Sequence, residues 1–390
     1  MTLRTFRLSW RYLAHHRLRT ILLVLAVAIV FFLPLAVSLL VGHYETELAA
    51  RAERVPLVAG AKGSRFDLVL CSLYFKGHIP DDLTMAEVEA LRDTGLATAV
   101  PLVVKRTAKG YPVVGTTLDY FDRMGLEVAE GSPPARLGDA VVGFEVARTL
   151  GLRPATGLVT DVDKLYDISS TYPLRLRVTG VLADSRSPDD LAVFVDVKTA
   201  WVIEGIGHGH VTPVEAKDES GILERRPGEV VFNDSIVKYI EITPANIDSF
   251  HFHGDPATFP VTAVLAWPVD AKSGTILKGR YAVSTTAQML VPTAVIGELL
   301  GFVFRIKRFF DANFVLVATA TALFLALIVL LSLRIRKREI DTLTRIGCSR
   351  FTVLRLQATE LLIVLGFGAV VAGLLSAGLV LWVVRAHVVF

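Results

Sequence analysis

Three uncharged apolar runs constrain the fold of this chain more than any other feature. They occupy residues 21–42, 312–333 and 361–384. Each run exceeds the roughly 20 residues that an α-helix needs to cross a hydrocarbon core about 30 Å thick. The chain is 52% hydrophobic and has a mean hydropathy of +0.51, which is unusually apolar for a soluble protein. The sequence therefore predicts a membrane protein with three transmembrane helices.

The first run has an alternative interpretation as a cleaved signal peptide. Ala36 and Ser38 would provide small residues for cleavage. The apolar core is, however, longer than the roughly 7–15 residues of a signal sequence. We therefore interpret residues 21–42 as a membrane anchor.

The basic residues predict an orientation in the membrane. Cytoplasmic flanks of membrane helices are enriched in lysine and arginine. Such residues cluster before the first run and after the second, at Arg4, Arg7, Arg11, Arg17, Arg19, Arg334, Arg336, Lys337, Arg338, Arg345, Arg350 and Arg355. Residues 1–20 and 334–360 are therefore predicted to be cytoplasmic, and residues 43–311 and a short tail, 385–390, external. A smaller cluster, Arg305 to Arg308, opposes this assignment.

The segment between the first two runs has the composition of a folded α+β domain. Stretches rich in β-branched residues and bounded by Gly, Pro or Asp predict strands at 66–74, 97–106, 111–117, 139–147, 174–183 and 191–197. Residues 84–95 predict a helix with Thr84 as its N-cap, Glu87 completing a capping box and Gly95 as its C-cap. A short helix is predicted at 143–152, and residues 280–311 are predicted to be helical and to lead into the second run.

Sequence motifs for nucleotide binding and for common catalytic sites are absent. The chain has no phosphate-binding loop, no nucleophile elbow, no His-Glu-x-x-His and no Cys-x-x-Cys. The glycines of "GAKGS", residues 60–64, do not have the Gly-Lys-Ser order of a phosphate loop. No charged residue lies within the three runs, which argues against an ion relay. We therefore do not expect an enzyme, and the modest net charge of +3 indicates no nucleic-acid partner.

Two alternating histidine pairs are candidates for metal binding. His208 and His210 form one pair, and His251 and His253 form the other. In a strand, side chains at i and i+2 share a face, so either pair could chelate a metal such as zinc. The alternative is that these are solvated loop histidines.

The third apolar run contains small residues at four-residue spacing. Two lines are formed, by Gly368, Ala372 and Ser376 and by Ala369, Gly373 and Ala377. Small residues at this spacing let helix backbones approach closely. We expect helix–helix packing here, within or between protomers, although Gly and Ala are also simply frequent in membrane helices.

The segment between the second and third runs is basic and amphipathic. Its apolar residues recur near helical spacing, which predicts a helix lying along the inner membrane surface. Gly347 should end that helix, and Ser349 should cap the next one. A basic loop that only satisfies the charge rule is the simpler alternative.

"RKREIDTLTRIGCSRFTVLRLQATE", residues 336–360, resembles the cytoplasmic loop of the MacB/FtsX-like permease family of ABC transporters, the type VII, mechanotransmission-type permeases. The family motif is Arg-Glu-Ile, then Leu-x-x-Ile-Gly-x-Ser, then a Glu at the head of the next span. The matching positions here are Arg338, Glu339, Ile340, Leu343, Ile346, Gly347, Ser349 and Glu360. Residues 113–159 and 174–201 are similar to the extracytoplasmic domain of the family, and residues 7–29 to its entry into the first span.

The resemblance implies a permease in the bacterial inner membrane that pairs with a second copy and with a dimer of separate ATPase subunits. ATP and Mg²⁺ would bind those subunits, and this chain would bind no cofactor apart from the zinc that the histidines suggest. Residues 334–360 would contact the ATPase, with Arg338, Glu339 and Arg345 as polar anchors. Movement would pass to the periplasmic domain, so that a lipophilic or peptide-like substrate is exported or extracted.

Other partners and roles stay open at this stage. Besides membrane lipids, a periplasmic adaptor or binding protein would be a further partner. The alternative function is a transmembrane regulatory or signalling subunit that activates a periplasmic partner, with or without a metal. The family normally has four spans, whereas three apolar runs occur here, so a fourth span would be absent or supplied by another subunit.

Overall fold

The structure of the chain is a computed structural model. It describes residues 3–161, 172–209, 214–217, 222–226, 229–232, 236–335, 342, 345 and 349–385. The chain divides into two compact units. We call residues Leu48–Leu299 the α+β unit, and residues Met1–Glu47 together with Leu300–Phe390 the helical unit.

The described residues form helices in both units. The helices are α1 (Leu3–His15), α2 (Arg17–Arg54), α3 (Arg65–Tyr74), α4 (Met85–Asp93), α5 (Leu118–Met124), α6 (Phe144–Leu150), α7 (Val197–Ile203), α8 (Ala271–Ala282), α9 (Pro292–Ile335) and α10 (Arg350–Arg385).

The strands all lie in the α+β unit. They are β1 (Leu57–Ala61), β2 (Leu83–Thr84), β3 (Ala97–Ala108), β4 (Tyr111–Thr116), β5 (Val128–Gly131), β6 (Asp139–Val142), β7 (Gly157–Val159), β8 (Leu174–Leu182), β9 (Val193–Asp196), β10 (Gly207–Gly209), β11 (Val214–Lys217), β12 (Ile222–Arg226), β13 (Glu229–Phe232), β14 (Ile236–Glu241), β15 (Phe250–Phe252), β16 (Pro260–Val261), β17 (Ala263–Pro268) and β18 (Ala287–Leu290).

Among the described residues, the largest sheet is mixed and contains 12 strands. Its main path runs β11-β14-β8-β6-β9-β4-β3-β17-β1-β18, and β5 and β7 also pair with β8. The pairs β4/β9, β6/β8 and β14/β8 are parallel, and the other pairs are antiparallel. Three separate two-stranded ribbons accompany it, β10-β15, β12-β13 and β16-β2.

Two apolar clusters form the core of the α+β unit. The larger one is built around β4, β6, β8 and β9 and includes α6 and α7, with Leu176, Val193 and Trp201 buried. The smaller one gathers β1, β17, α4 and α8. The central strands are rich in valine and buried on both faces, which suits strands covered by helices. The middle of the sheet is therefore a well-packed support for the loops and ribbons at its margins.

The helical unit contains two helices that are long and apolar enough to cross a membrane, Arg17–Arg54 and Phe351–Val384, within the residues that the structure describes. They are α2 and most of α10. α1 packs along α10. A small buried cluster joins α1, α2 and α10 and consists of Leu13, Val27, Ile363 and Val364. The second apolar run of the sequence lies inside α9.

The structure corrects three local predictions. Residues 66–74, predicted as a strand, form α3, because Ser64 caps the segment by accepting a hydrogen bond from the Asp67 amide at 3.2 Å. α4 begins after Thr84 as expected, but the Thr84 side chain makes no capping hydrogen bond. Residues 280–311 are not one helix, since β18 pairs with β1 between α8 and α9.

The predicted strands at 97–106, 111–117, 174–183 and 191–197 are confirmed as β3, β4, β8 and β9. The stretch 139–147 is confirmed as a strand only over β6, because Gly143 is the N-cap of α6 and the residues after it are helical. The short helix predicted at 143–152 is confirmed as α6.

Candidate functional site

The C-terminal end of α2 is bound into the α+β unit by a buried ionic network. Arg51 is 4% exposed, and both of its terminal nitrogens donate to the carboxylate of Asp189, which is fully buried. Arg51 Nη2 also donates to the Tyr120 hydroxyl at 2.8 Å, and that hydroxyl donates to Asp189 Oδ1 at 2.7 Å. Arg51 Nε donates to the Leu73 carbonyl at 3.0 Å. Each of the three guanidinium nitrogens therefore donates a hydrogen bond.

The surroundings of Arg51 keep it charged despite its burial. Burial alone lowers the pKa of Arg51, but the charge of Asp189 and the hydrogen bonds to Asp189 and Tyr120 outweigh it, so the pKa of Arg51 lies above its ordinary value. Burial also raises the pKa of Tyr120 well above its usual range, even though the Arg51 charge lowers it. Tyr120 is therefore a neutral phenol that donates to the carboxylate.

Asp189 is held from its own side by a short turn. Ser187 begins a single 3₁₀ turn at Pro188–Leu191, where a capping box is formed with Asp190. The Ser187 hydroxyl also donates to Asp189 Oδ2 at 2.8 Å. The local sequence Ser-Pro-Asp-Asp therefore restrains the Asp189 carboxylate by contacts that do not involve Arg51.

Further contacts fix the last turns of α2. The Tyr74 hydroxyl donates to the Leu48 carbonyl at 2.6 Å, and Trp267 Nε1 donates to the Arg54 carbonyl at 2.9 Å. The Arg54 side chain reaches the Met124 carbonyl at 3.2 Å. The Trp267 indole satisfies a carbonyl of the last turn of α2, where intrahelical partners run out. One side of the last turns of α2, with Leu48, Arg51 and Ala52, is consequently buried in the α+β unit.

Most residues of the predicted coupling segment lie outside the described residues. These are Arg338, Glu339, Ile340, Leu343, Ile346 and Gly347. Arg345 is exposed, and Ser349 stands immediately before α10, where its Oγ accepts a hydrogen bond from the Thr352 amide at 3.3 Å. Glu360 is half-buried within α10. Their role in contacting an ATPase stays a prediction.

The structure separates the two lines of small residues on α10. Gly368, Ala372 and Ser376 are buried. A side chain at Gly368 would collide with Val27 of α2. The Ser376 hydroxyl donates to the carbonyl of Phe32, which is also in α2, at 3.2 Å. The second line, Ala369, Gly373 and Ala377, is exposed or half-exposed, and Gly373 has no neighbour within 4 Å of the Cβ position.

Three of the four predicted metal-binding histidines come together on the β10-β15 ribbon. His208 and His251 are direct cross-strand partners, and His253 follows on the same face as His251. One ligand nitrogen from each ring lies within 4.8 Å of the others. His210 lies outside the described residues.

The Arg51 network was not predicted from the sequence. Arg51 is separated from Asp189 by 138 positions, and pattern reasoning does not pair charges over that distance. The sequence did contain charged residues at both places. Arg51 lies in the polar stretch that follows the first apolar run, and Asp189 lies in the turn motif at residues 187–190, beside buried elements.

The chain was compared with known proteins. A sequence model of the MacB-like periplasmic core domain matches residues 20–222. No curated protein matches.

Solved structures with low similarity were also found. The periplasmic region of MacB from Actinobacillus actinomycetemcomitans is 10% identical, with a TM-score of 0.35 over 63% of this chain and 94% of that one. The extracellular domain of the noncanonic ABC-type transporter YknZ from Gram-positive bacteria is 12% identical, with a TM-score of 0.32 over 60% of this chain and 98% of that one. A domain of a putative permease protein from Porphyromonas gingivalis is 10% identical, with a TM-score of 0.27 over 61% of this chain and 89% of that one.

The family assignment rests on the sequence model, which covers more than half of the chain and spans the apolar part of α2 and the strands β1 to β11. Two helices able to cross a membrane accompany the matched domain. The chain therefore belongs to the MacB-like periplasmic core domain family and is a permease component of the ABC-transporter type.

Proposed function

We propose that this chain couples ATP hydrolysis by a separate ATPase subunit to movement of its α+β unit on the outer side of a bacterial inner membrane. The proposal includes three membrane spans, formed by α2, α9 and α10, with residues 334–360 on the cytoplasmic side. The family supplies the general role of a permease, and the arrangement of charges along the chain supplies the orientation.

The observation that carries the proposal is the continuity of α2. This single helix contains an apolar stretch long enough to cross a membrane, and it ends at the buried Arg51–Asp189 pair. A helix with one buried ionic anchor cannot slide or rotate against that anchor without breaking several hydrogen bonds. We propose that displacement of its membrane segment acts on the α+β unit through this helix, as in shear or hinge motions of packed elements.

The substrate class follows from the resemblance alone. We propose a lipophilic or peptide-like molecule that is extracted or exported at the outer membrane surface, without passing through a polar pore in this chain. The apolar runs contain no charged residue, which fits a subunit that moves without conducting ions.

The test is affinity purification of the tagged full-length chain from its native membrane. An ATP-binding subunit is expected to co-purify. Arg338→Glu or Arg345→Glu should lower its recovery about tenfold or more, because reversing a charge at an interface costs at least about 1.4 kcal/mol. The matched control is Arg308→Glu, which reverses an exposed arginine in α9 that the proposed orientation places on the other side of the membrane.

Two results would contradict the proposal. One is the failure of any ATP-binding subunit to co-purify with the wild-type chain. The other is an equal loss in Arg308→Glu and in the coupling-segment variants, since a common loss would indicate general damage and not a specific contact.

A further inference from the structure

The β10-β15 ribbon has two chemically different faces. Residues 250–253 alternate Phe-His-Phe-His, and His208 stands opposite His251 between two glycines. Successive side chains of a strand point to opposite faces. One face of the ribbon is therefore aromatic, and the other is made of imidazoles.

The aromatic face fixes the ribbon to the core. Phe250 and Phe252 pack against the larger apolar cluster. The Phe252 ring lies 6.3 Å from the Trp201 ring and 5.9 Å from the Phe259 ring, and Trp201 Nε1 donates to the Pro260 carbonyl at 2.8 Å. The Trp201–Phe252 contact is edge-to-face and the Phe252–Phe259 contact is tilted, and such aromatic contacts hold rings in defined positions.

Glycines allow this close approach. A Cβ at Gly207 would lie 2.5 Å from the Phe252 ring, and one at Gly209 would lie 2.7 Å from the Phe250 ring. Only glycine therefore fits on either side of His208. The sequence Gly-His-Gly is explained by packing at its two glycines, but packing gives no reason for the histidine between them.

The imidazole face has the geometry of a metal site. His251 Nε2 and His253 Nε2 are 3.1 Å apart, and the three rings have centroid separations of 4.7 to 4.9 Å. Zinc–nitrogen bonds of about 2.0–2.1 Å in a tetrahedron place ligand nitrogens about 3.3 Å apart. Small side-chain rotations would bring all three nitrogens to one ion.

A backbone contact sets the tautomer of His251. Its Nδ1 lies 3.0 Å from the Ser249 carbonyl oxygen, which can only accept, so Nδ1 carries the proton and donates it. The Nε2 lone pair then faces the other two rings. Metal-binding histidines commonly use the second ring nitrogen in this way, which orients the ring and makes the ligand more basic.

We propose that His208, His251 and His253 bind one divalent first-row transition-metal ion, of which zinc is the best fit. Neutral imidazoles suit zinc, copper and nickel, whereas calcium and magnesium require oxygen ligands. His208 and His253 are exposed and His251 is half-buried. Three protein ligands at an exposed position leave one coordination position open, which is typical of exchangeable sites and not of closed structural ones. This inference does not depend on the proposed coupling to an ATPase.

The test uses the full-length chain in detergent micelles, purified with a tag that contains no histidine and stripped of metal with a chelator. Calorimetric titration with Zn²⁺ alone should give one ion per chain. His208→Ala and His253→Ala should each weaken binding about tenfold or more, by analogy with losses at supporting positions of metal sites. His78→Ala changes an exposed histidine of the same unit and should leave the affinity unchanged.

A second measurement identifies the ligands. Co²⁺ added in place of Zn²⁺ should give the intense visible absorption of a four-coordinate ion, and the triple variant His208→Ala/His251→Ala/His253→Ala should lack it. His208 and His253 are exposed, so their variants should keep the wild-type circular dichroism. The proposal is overturned if the wild type binds no Zn²⁺, if the triple variant binds as tightly as the wild type, or if His78→Ala weakens binding as much as the ribbon variants.

Discussion

Arg51 carries a positive charge into the interior of the α+β unit, 4% exposed, at the end of a helix that is otherwise largely apolar. A buried ion pair is not in itself a strong source of stability, because desolvation offsets most of the Coulomb attraction. The pair instead fixes the orientation of the end of α2. The guanidinium fits Asp189 and Tyr120 in one arrangement only, so the rotation and axial position of the helix end are specified.

Arg51→Met should destabilise the α+β unit severely. The substitution keeps most of the side-chain volume but leaves the Asp189 carboxylate buried without its cation, which costs about 3–5 kcal/mol. In a unit of this size the unfolding temperature should fall by about 10 °C. Differential scanning fluorimetry of the full-length chain in micelles measures this change.

The control is an ion pair of the same type in which both side chains are exposed. Arg65 and Glu298 are 53% and 52% exposed and lie 3.3 Å apart. Arg65→Met should lower stability by no more than about 1 kcal/mol, because surface pairs are screened and flexible. Equal shifts in the two variants would show that burial of the Arg51 pair has no special role.

The contacts of single residues were predictable where the partner residue is close in the sequence. Ser349 was expected to cap a helix, and its Oγ accepts a hydrogen bond from Thr352, three residues on. The histidine pairs were recognisable from their i, i+2 spacing. Their convergence was not, because it depends on the register that places His208 opposite His251. The Arg51–Asp189 pair likewise depends on tertiary packing.

At the level of elements, α10 presents two different faces. Its buried line of small residues meets α2, and its other line does not. Membrane helices associate through close packing and interhelical hydrogen bonds, since lipid removes the hydrophobic driving force. The Ser376 hydrogen bond to Phe32 and the contact of Gly368 with Val27 provide both contributions.

Gly368→Leu should separate α10 from α2. The new side chain would meet the Val27 side chain and the Val24 carbonyl oxygen, which is 3.3 Å from the Cβ position and belongs to the backbone, so it cannot move aside. Overpacking of this kind costs about 1–3 kcal/mol. The helical circular dichroism signal should therefore melt at a lower temperature in micelles.

Gly373→Leu is the matched control on the same helix. Nothing lies within 4 Å of the Cβ position of Gly373, so this variant should melt like the wild type. If Gly373→Leu were as unstable as Gly368→Leu, the loss would come from glycine replacement in general and not from the contact with α2.

Element type was predictable from composition only where tertiary context agreed with it. The valine-rich stretches became the central strands, because both of their faces are covered. Residues 66–74 have a similar apolar composition but form α3, because Ser64 supplies a cap and the helix buries one side on the sheet. Short apolar runs do not distinguish a buried helix from a strand by pattern alone.

At the scale of the whole molecule, the number of membrane crossings decides where each end lies. α2 and α10 meet the length and hydropathy required for a span, and α9 contains the second apolar run of the sequence. With two spans, both ends of the chain would lie on the same side of the membrane. With three spans, α9 returns the chain to the cytoplasm, and α10 leads it out again, so the ends lie on opposite sides.

Accessibility in spheroplasts, whose outer membrane is removed and whose inner membrane is intact, should reveal three crossings. The variants Arg11→Cys, Lys272→Cys and Arg345→Cys, each made in a chain without other cysteines, would be treated with a membrane-impermeant maleimide, and all three native residues are exposed. Lys272→Cys should react in intact spheroplasts, and the other two only after lysis, because the positive-inside rule places both basic flanks in the cytoplasm.

A peptide epitope fused after Phe390 should be detected on intact spheroplasts. Detection of that epitope only after lysis would mean that α9 does not cross. Labelling of Arg345→Cys in intact spheroplasts would place the coupling segment on the wrong side for any contact with an ATPase.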